Sequence, residues 1–193
     1  MSACLTLGVN INCVSLNDIS ALTACVLHNH LKLAEKLLSD ENIRVNTTTS
    51  KSWTALMFAC QSGKSEFVRL LCGAPGIDLN LQDKNGDTVG LLAVRHGQEE
   101  VVRLLAAMER LDWNIRGSSG DTALLSALKR EKFKIVEVLV RLESLDLNAV
   151  DLTGESFVSL AVKMKALWLL ELIRDVESVD WNLPDSAGHC PQN

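Results

Sequence analysis

The chain has 193 residues, with 19 Lys and Arg against 24 Asp and Glu (formal net charge −5), 47% hydrophobic residues, 4% aromatic ones and no Tyr. The apolar share is ordinary for a folded chain with a sizeable core. The scarcity of aromatics argues against a β-sandwich, the acidic balance against a nucleic-acid binder, and no charge-free apolar run qualifies as a membrane span.

The chain opens with MSACLTLGVNINCVSL, which has no basic residue and is interrupted by Asn10 and Asn12, so it does not read as a signal peptide. The cysteines at 4, 13, 25, 60, 72 and 190 form no CxxC pair and read as reduced thiols of an intracellular protein, cytoplasmic or nuclear. From there apolar residues recur at helical spacing, with Ser or Thr in front. The pattern predicts ten helices, near 20–28, 31–39, 54–62, 65–72, 88–95, 98–107, 122–130, 133–142, 156–164 and 167–174. Between successive pairs runs turn chemistry such as QDKNGD at 82–87.

The helix pairs are copies of one unit. LDWN at 111–114 returns as VDWN at 179–182, 68 residues later, two periods of 34. Asn12, Asn46, Asn80, Asn114, Asn148 and Asn182 form one ladder at that period, and Ser20, Thr54, Thr88, Thr122 and Ser156 a second. Small residues (Cys25, Ala59, Ala93, Ala127, Ala161), aliphatic ones (Leu37, Leu71, Leu105, Leu139, Ile173) and glycines (Gly86, Gly120, Gly154, Gly188) form three more. Five ladders in one register mark a single repeat domain over 1–193, with units at about 13–46, 47–80, 81–114, 115–148 and 149–182 and partial units at both ends. One such unit cannot bury its own apolar face and must stack on its neighbours.

In the third unit Asp83, Gly86, Thr88, Ala93, Gly97, Val101-Val102, Leu104-Leu105, Asp112 and Asn114 stand where the ankyrin repeat carries D-x-x-G-x-T-P-L-H-x-A, a Gly-His break, a helix of the I/V-V-x-x-L-L kind and a D-V-N loop. The chain resembles an ankyrin-repeat array over essentially its whole length. That resemblance implies an all-α solenoid of stacked antiparallel helix pairs, with β-hairpin-like finger loops on one side. The family's Pro and His are missing from all five units, which carry Ala21, Ala55, Val89, Ala123 and Phe157 in the Pro slot. Glu131 and Lys165 replace the break glycine, whose position favours positive φ. Gly90 stands where other units carry Leu22, Leu56, Leu124 and Val158, so a gap in the core is expected there, filled to advantage by Gly90→Leu with a gain of roughly 1–3 kcal/mol. These departures predict a modestly stable array, weakest around units three and five. Residues 1–12 match the tail of a unit and 183–193 the start of another, with Cys190 in the Thr slot; a piece of a longer array and a natural start with a degenerate cap both remain open.

Motifs that suggest chemistry have structural explanations. GKS at 63–65 has Phe58 where a phosphate loop needs Gly, and it falls at a break between helices. Cys25, His28 and His30 occupy repeat slots and lack further ligands at metal-site spacing; Cys60 and Cys72 read as small buried thiols. Trp113 and Trp181 share a slot with Val45, Leu79 and Leu147, so packing is expected of them, with the flanking Asp and Asn bonding local backbone.

The same resemblance implies a non-catalytic protein–protein interaction module, without cofactor or metal and monomeric; the charge and hydropathy already argue against nucleic acid and membrane as partners. The alternatives are a targeting or regulatory arm of a larger protein, such as a kinase or a ubiquitin-ligase substrate receptor, and a spacer without a specific partner. Family binding positions fall on Trp53, Asp87, Asp121 and Glu155 before the helix caps, on Arg95, His96, Lys129, Arg130 and Lys163 before the breaks, and on the fingers at Lys51, Lys84 and Asn85. From unit three onward these make an acidic row and a basic row. They read either as helix-end electrostatics or as a groove for a partner segment of mixed charge, anchored at Trp53.

Overall fold

A computed structural model describes residues 10–15, 18–174, 176 and 178–183. The sequence features assigned to 1–9 and 184–193, including Gly188 and Cys190, lie outside the described residues. Among the described residues ten helices follow in order: α1 (Ala21–Leu27), α2 (Leu31–Leu38), α3 (Ala55–Gln61), α4 (Ser65–Cys72), α5 (Val89–Arg95), α6 (Glu99–Ala106), α7 (Ala123–Lys129), α8 (Phe133–Leu139), α9 (Phe157–Lys163) and α10 (Leu167–Leu172). Every end lies within three residues of the position expected from sequence.

The ladders explain themselves as backbone chemistry. Ser20, Thr54, Thr88, Thr122 and Ser156 stand in extended conformation before the first helix of each pair. Each side-chain oxygen accepts the N–H three residues on, at 3.1–3.4 Å, a cap worth about 1 kcal/mol. The small-residue ladder lies near the other end of that helix. The carbonyls of Cys25, Ala59, Ala93, Ala127 and Ala161 each accept an N–H from five residues on, across the break. That closure requires a left-handed residue between. Asn29, Gly63, Gly97, Glu131 and Lys165 all supply it, with φ between 54° and 68°. In Glu131 and Lys165 this conformation costs roughly 1 kcal/mol relative to glycine.

First helices pack side by side in one row, α1 on α3, α3 on α5, α5 on α7 and α7 on α9; second helices form another, α2 on α4, α4 on α6 and α6 on α8. Leu37, Leu71, Leu105, Leu139 and Ile173 are buried between them, each contributing roughly 1.5–3 kcal/mol of burial.

The Asn ladder joins units. In Asn12, Asn46, Asn80, Asn114 and Asn148 the side-chain amide donates to the carbonyl 30 residues on, and its oxygen accepts the N–H 32 residues on, all at 2.6–3.1 Å. The Asp two positions earlier does bond locally, accepting the N–H of Asn80, Asn114, Asn148 or Asn182 at 2.9 Å. The expectation that Asn also bonds local backbone is therefore corrected: its side chain ties the next unit's loop.

Gly90 needs a second correction. A Cβ there would lie 2.9 Å from Cζ3 and 3.1 Å from Cε3 of Trp113, which is buried. The expected gap does not exist. The oversized residue at 113 fills the space that the missing side chain at 90 leaves, so two departures from the repeat compensate each other. Trp113 packs as its slot-mates Val45, Leu79 and Leu147 do, and Trp181 is half-buried.

Candidate partner-binding groove

Each finger closes on itself. The N–H of Ser15, Thr49, Asp83, Gly117 and Asp151 donates to the carbonyl four residues on, at Ile19, Trp53, Asp87, Asp121 and Glu155. This fixes those five residues at the feet of the fingers, just before the caps. One helix later, eight residues on, stand Leu27, Gln61, Arg95, Lys129 and Lys163. A seven-residue helix makes about two turns, so a foot residue and its mate share one face.

In units three to five the two rows pair with each other. Arg95 Nη1 lies 2.5 Å from Asp87 Oδ2, Lys129 Nζ 2.5 Å from Asp121 Oδ1 and Lys163 Nζ 2.5 Å from Glu155 Oε1. Lys129 also reaches Asp151 Oδ2 of the next finger at 2.7 Å. Ser119 links the first two pairs, accepting from Arg95 Nη2 at 3.0 Å and donating to Asp121 Oδ2 at 3.1 Å. The result is a continuous polar chain from Asp87 through Arg95, Ser119, Asp121 and Lys129 to Asp151.

The titrations follow from this. Burial penalises the Asp151 carboxylate, but hydrogen bonds from Lys129, Thr153 and the backbone outweigh it and hold the carboxyl well below the usual range. Burial also works against the Lys129 charge, yet its bonds to Asp121 and Asp151 push its pKa up. Asp87 goes the other way: burial pushes its carboxyl up despite Arg95. Gly117 stands in the finger slot held by Asp83 and Asp151, so Arg95 gains no second carboxylate, and Asp87 Oδ1 and Arg95 Nε remain buried without a hydrogen-bond partner.

Units one and two carry no such pairs in these slots. Trp53 donates from Nε1 to Asp83 Oδ2 at 2.8 Å and packs against Phe58, ring centroids 4.9 Å apart at 58°. With Ile19, Thr49, Lys51 and Gln61 these rings line an open groove of about 510 Å³. Leu27 is exposed. Gln61 faces His96, Nε2 to Nε2 at 3.3 Å. Lys51, Lys84, Asn85 and Arg130 are exposed. Neighbouring fingers are joined by the Lys84 N–H donating to the Lys51 carbonyl at 3.3 Å and the Ser118 N–H to that of Asn85 at 2.8 Å.

The structure thus brings Trp53, Asp87, Arg95, Asp121, Lys129, Glu155 and Lys163 onto one groove side, with Lys51, Lys84 and Asn85 on the fingers beside it. Ile19, Phe58, Asp83, Ser119 and Asp151 belong to the same surface and were not expected from sequence. Asp151 was within reach, because it shares the slot of Asp83 one residue after Val150. Phe58 was not, because its slot-mates Ala24, Leu92, Ser126 and Leu160 share no chemistry.

Nothing in the groove resembles a nucleophile with a base. Burial raises the Cys60 thiol well above its usual value, and that of Cys72 to about 11, the opposite of an activated thiolate. Among the described residues no cluster of His, Cys, Asp and Glu could hold a metal ion, and no helix is long and apolar enough to cross a membrane.

Comparison with curated proteins finds no match. The family model for ankyrin repeats (3 copies) matches residues 2–83, 75–151 and 91–185. Among solved structures, the chain is similar to the ankyrin repeat domain of Bcl-3, described as a unique member of the IkappaB protein family, with TM-score 0.85 and 22% identity over 97% of this chain and 82% of that one. It is also similar to EF0377, an ankyrin repeat protein (TM-score 0.77, 21% identity, 90% and 88% covered), and to the ankyrin repeat domain ABAYE2397 from Acinetobacter baumannii AYE (0.76, 22%, 88% and 88%). At these identities the likeness is one of fold, and the family rests on the ladders, the helix pairs and the sequence model together: this chain belongs to the ankyrin-repeat family.

Proposed function

We propose that the chain is a non-catalytic protein-interaction module that holds a segment of a partner protein in the groove between the fingers and the first-helix row. One observation carries this reading. The groove is not chemically uniform: its wall changes from apolar, at Ile19, Leu27, Trp53 and Phe58, to ion-paired, from Asp87 to Lys163. A spacer needs no such pattern. The charged half already has internal partners, so a mixed-charge ligand gains less there than exposed rows would give. Its contribution is orientation and discrimination, while desolvation of the aromatic half supplies affinity.

The test is photocrosslinking. A benzophenone amino acid is placed at Gln61 or Arg130 on the groove side, or at Lys32 or Lys36 on the second-helix row, and the chain is irradiated in lysate. Defined adducts from positions 61 and 130 and none from 32 and 36 are expected. Adducts confined to 32 and 36, or none at any position, overturn the reading.

A further inference from the structure

Resting on that reading, we infer that the apolar half of the groove takes an extended acidic peptide: one bulky apolar side chain seated against Trp53 and Phe58, with a carboxylate close by in sequence held by the finger lysines.

The argument begins with what each charge on this surface already touches. Asp83 accepts the Trp53 indole N–H, the Asn85 N–H and the Asp87 N–H. Asp87 holds Arg95. Asp121 and Asp151 share Lys129, and Glu155 holds Lys163. Each of these carboxylates has a partner within the protein, Asp87 through Oδ2 alone, its Oδ1 being buried.

The cations are not all matched. Lys51 and Lys84 stand on adjacent fingers, joined through backbone at 3.3 Å. Both are exposed, and neither forms an ion pair among the described residues. Two lysines without an acidic partner thus stand on adjoining finger backbones, Lys51 in the lining of the Trp53 groove and Lys84 on the next finger, on a chain whose net charge is −5.

The groove supplies the other half. At about 510 Å³ it has room for one large side chain, and its floor is the tilted Trp53–Phe58 pair, held by the indole bond to Asp83. A preset aromatic floor loses little freedom on binding, the condition under which buried aromatic contacts become hot spots. A basic peptide would meet Lys51 and Lys84 as like charges and find no unengaged carboxylate. A purely apolar one would leave both ammonium groups at the edge of a desolvated interface without a partner. An apolar anchor with an Asp or Glu within a few residues satisfies both parts, because side chains of an extended segment project every 3.3 Å or so to alternate sides.

A random peptide library displayed on phage is selected on the immobilised full chain, and enriched peptides are synthesised with a fluorophore and titrated by polarisation. Enrichment of sequences combining Trp, Phe, Leu or Met with nearby Asp or Glu is expected. Trp53→Ala should weaken their binding by about tenfold or more, and the pair Lys51→Glu with Lys84→Glu by roughly three- to tenfold. Raising salt should weaken the wild type and, by screening the repulsion between the new glutamates and the acidic peptide, strengthen binding to the Lys51→Glu, Lys84→Glu variant. That variant lies on exposed fingertips, so the test survives if Trp53→Ala fails to fold. A pool rich in Lys and Arg, or acidic peptides indifferent to all three substitutions, overturns the inference while leaving an interaction module standing. No enrichment at all overturns both.

Discussion

Gly90 and Trp113 form the sharpest quantitative test of the packing. A carbon–carbon contact is comfortable at about 3.5–4.0 Å, and a Cβ on residue 90 would meet the Trp113 ring at 2.9 and 3.1 Å. The ring must therefore retreat by roughly half an ångström or more, in an interior with no slack. Overpacking of this kind costs about 1–3 kcal/mol; replacing a glycine inside a helix returns about 0.5–1 kcal/mol. Gly90→Ala should thus lose about 1 kcal/mol, and Gly90→Leu, with three more carbons to place, should destabilise by about 2 kcal/mol. Trp113→Leu alone empties part of the core and should cost a similar amount, about 2 kcal/mol. Together the two changes rebuild the arrangement of Leu56 with Leu79 and Leu124 with Leu147, the same slots in units two and four. The double variant should therefore lose only about 1 kcal/mol, a coupling of roughly 3 kcal/mol between contacting sites. Urea unfolding followed by far-UV circular dichroism measures all four corners of this cycle. A Gly90→Leu chain as stable as wild type, or two effects that add within about 0.5 kcal/mol, would show that the ring does not occupy this space.

Other expectations are as direct. Glu131→Gly and Lys165→Gly should each raise stability by about 1 kcal/mol in urea melts, because both residues hold a left-handed conformation; a loss in both would mean that their side chains matter more than their backbone. Asn114→Ala removes two bonds to the next unit, at Ser144 and Asp146, and should cost about 1–2 kcal/mol and speed amide exchange at Asp146; unchanged exchange there would contradict the bridging role. For Asp151 the folded carboxyl titrates below the unfolded value of 3.8. Its stabilisation is therefore present above that value and lost as pH falls through the folded one. Asp151→Asn should flatten the acid limb of stability below about pH 4, and a variant that loses stability there as steeply as wild type would refute the assignment.

The architecture was legible because it is written as repetition. A Thr before a helix, an Ala near its end and a buried Leu each perform one task, and five recurrences at one spacing leave little choice of fold. The departures were harder. Gly90 invited a gap because the ladder compares residue 90 with 22, 56 and 124, whereas what decides its environment is residue 113, in a different slot. The charge rows could be read from the sequence as rows. Whether an acid points at its own unit's base or toward a partner depends on side-chain reach across a helix and onto the next finger, and Lys129 touching both Asp121 and Asp151 has no one-dimensional signature. Trp53 stood out as the exception in an acidic slot, while its companion Phe58, in an irregular slot, did not.

The forward reach of the asparagines bears on how the chain is made. Asn12, Asn46, Asn80, Asn114 and Asn148 take partners 30 and 32 residues later, and Gln98 returns a bond 37 residues back, to the Gln61 carbonyl. These inter-unit bonds span about one period, so little of this fold waits for a distant part of the sequence, a property associated with rapid folding. During synthesis the amide of each Asn is already in place when the loop it binds leaves the ribosome. Two units can close on each other while the fifth is still untranslated, and every later unit docks on a finished surface rather than searching for one.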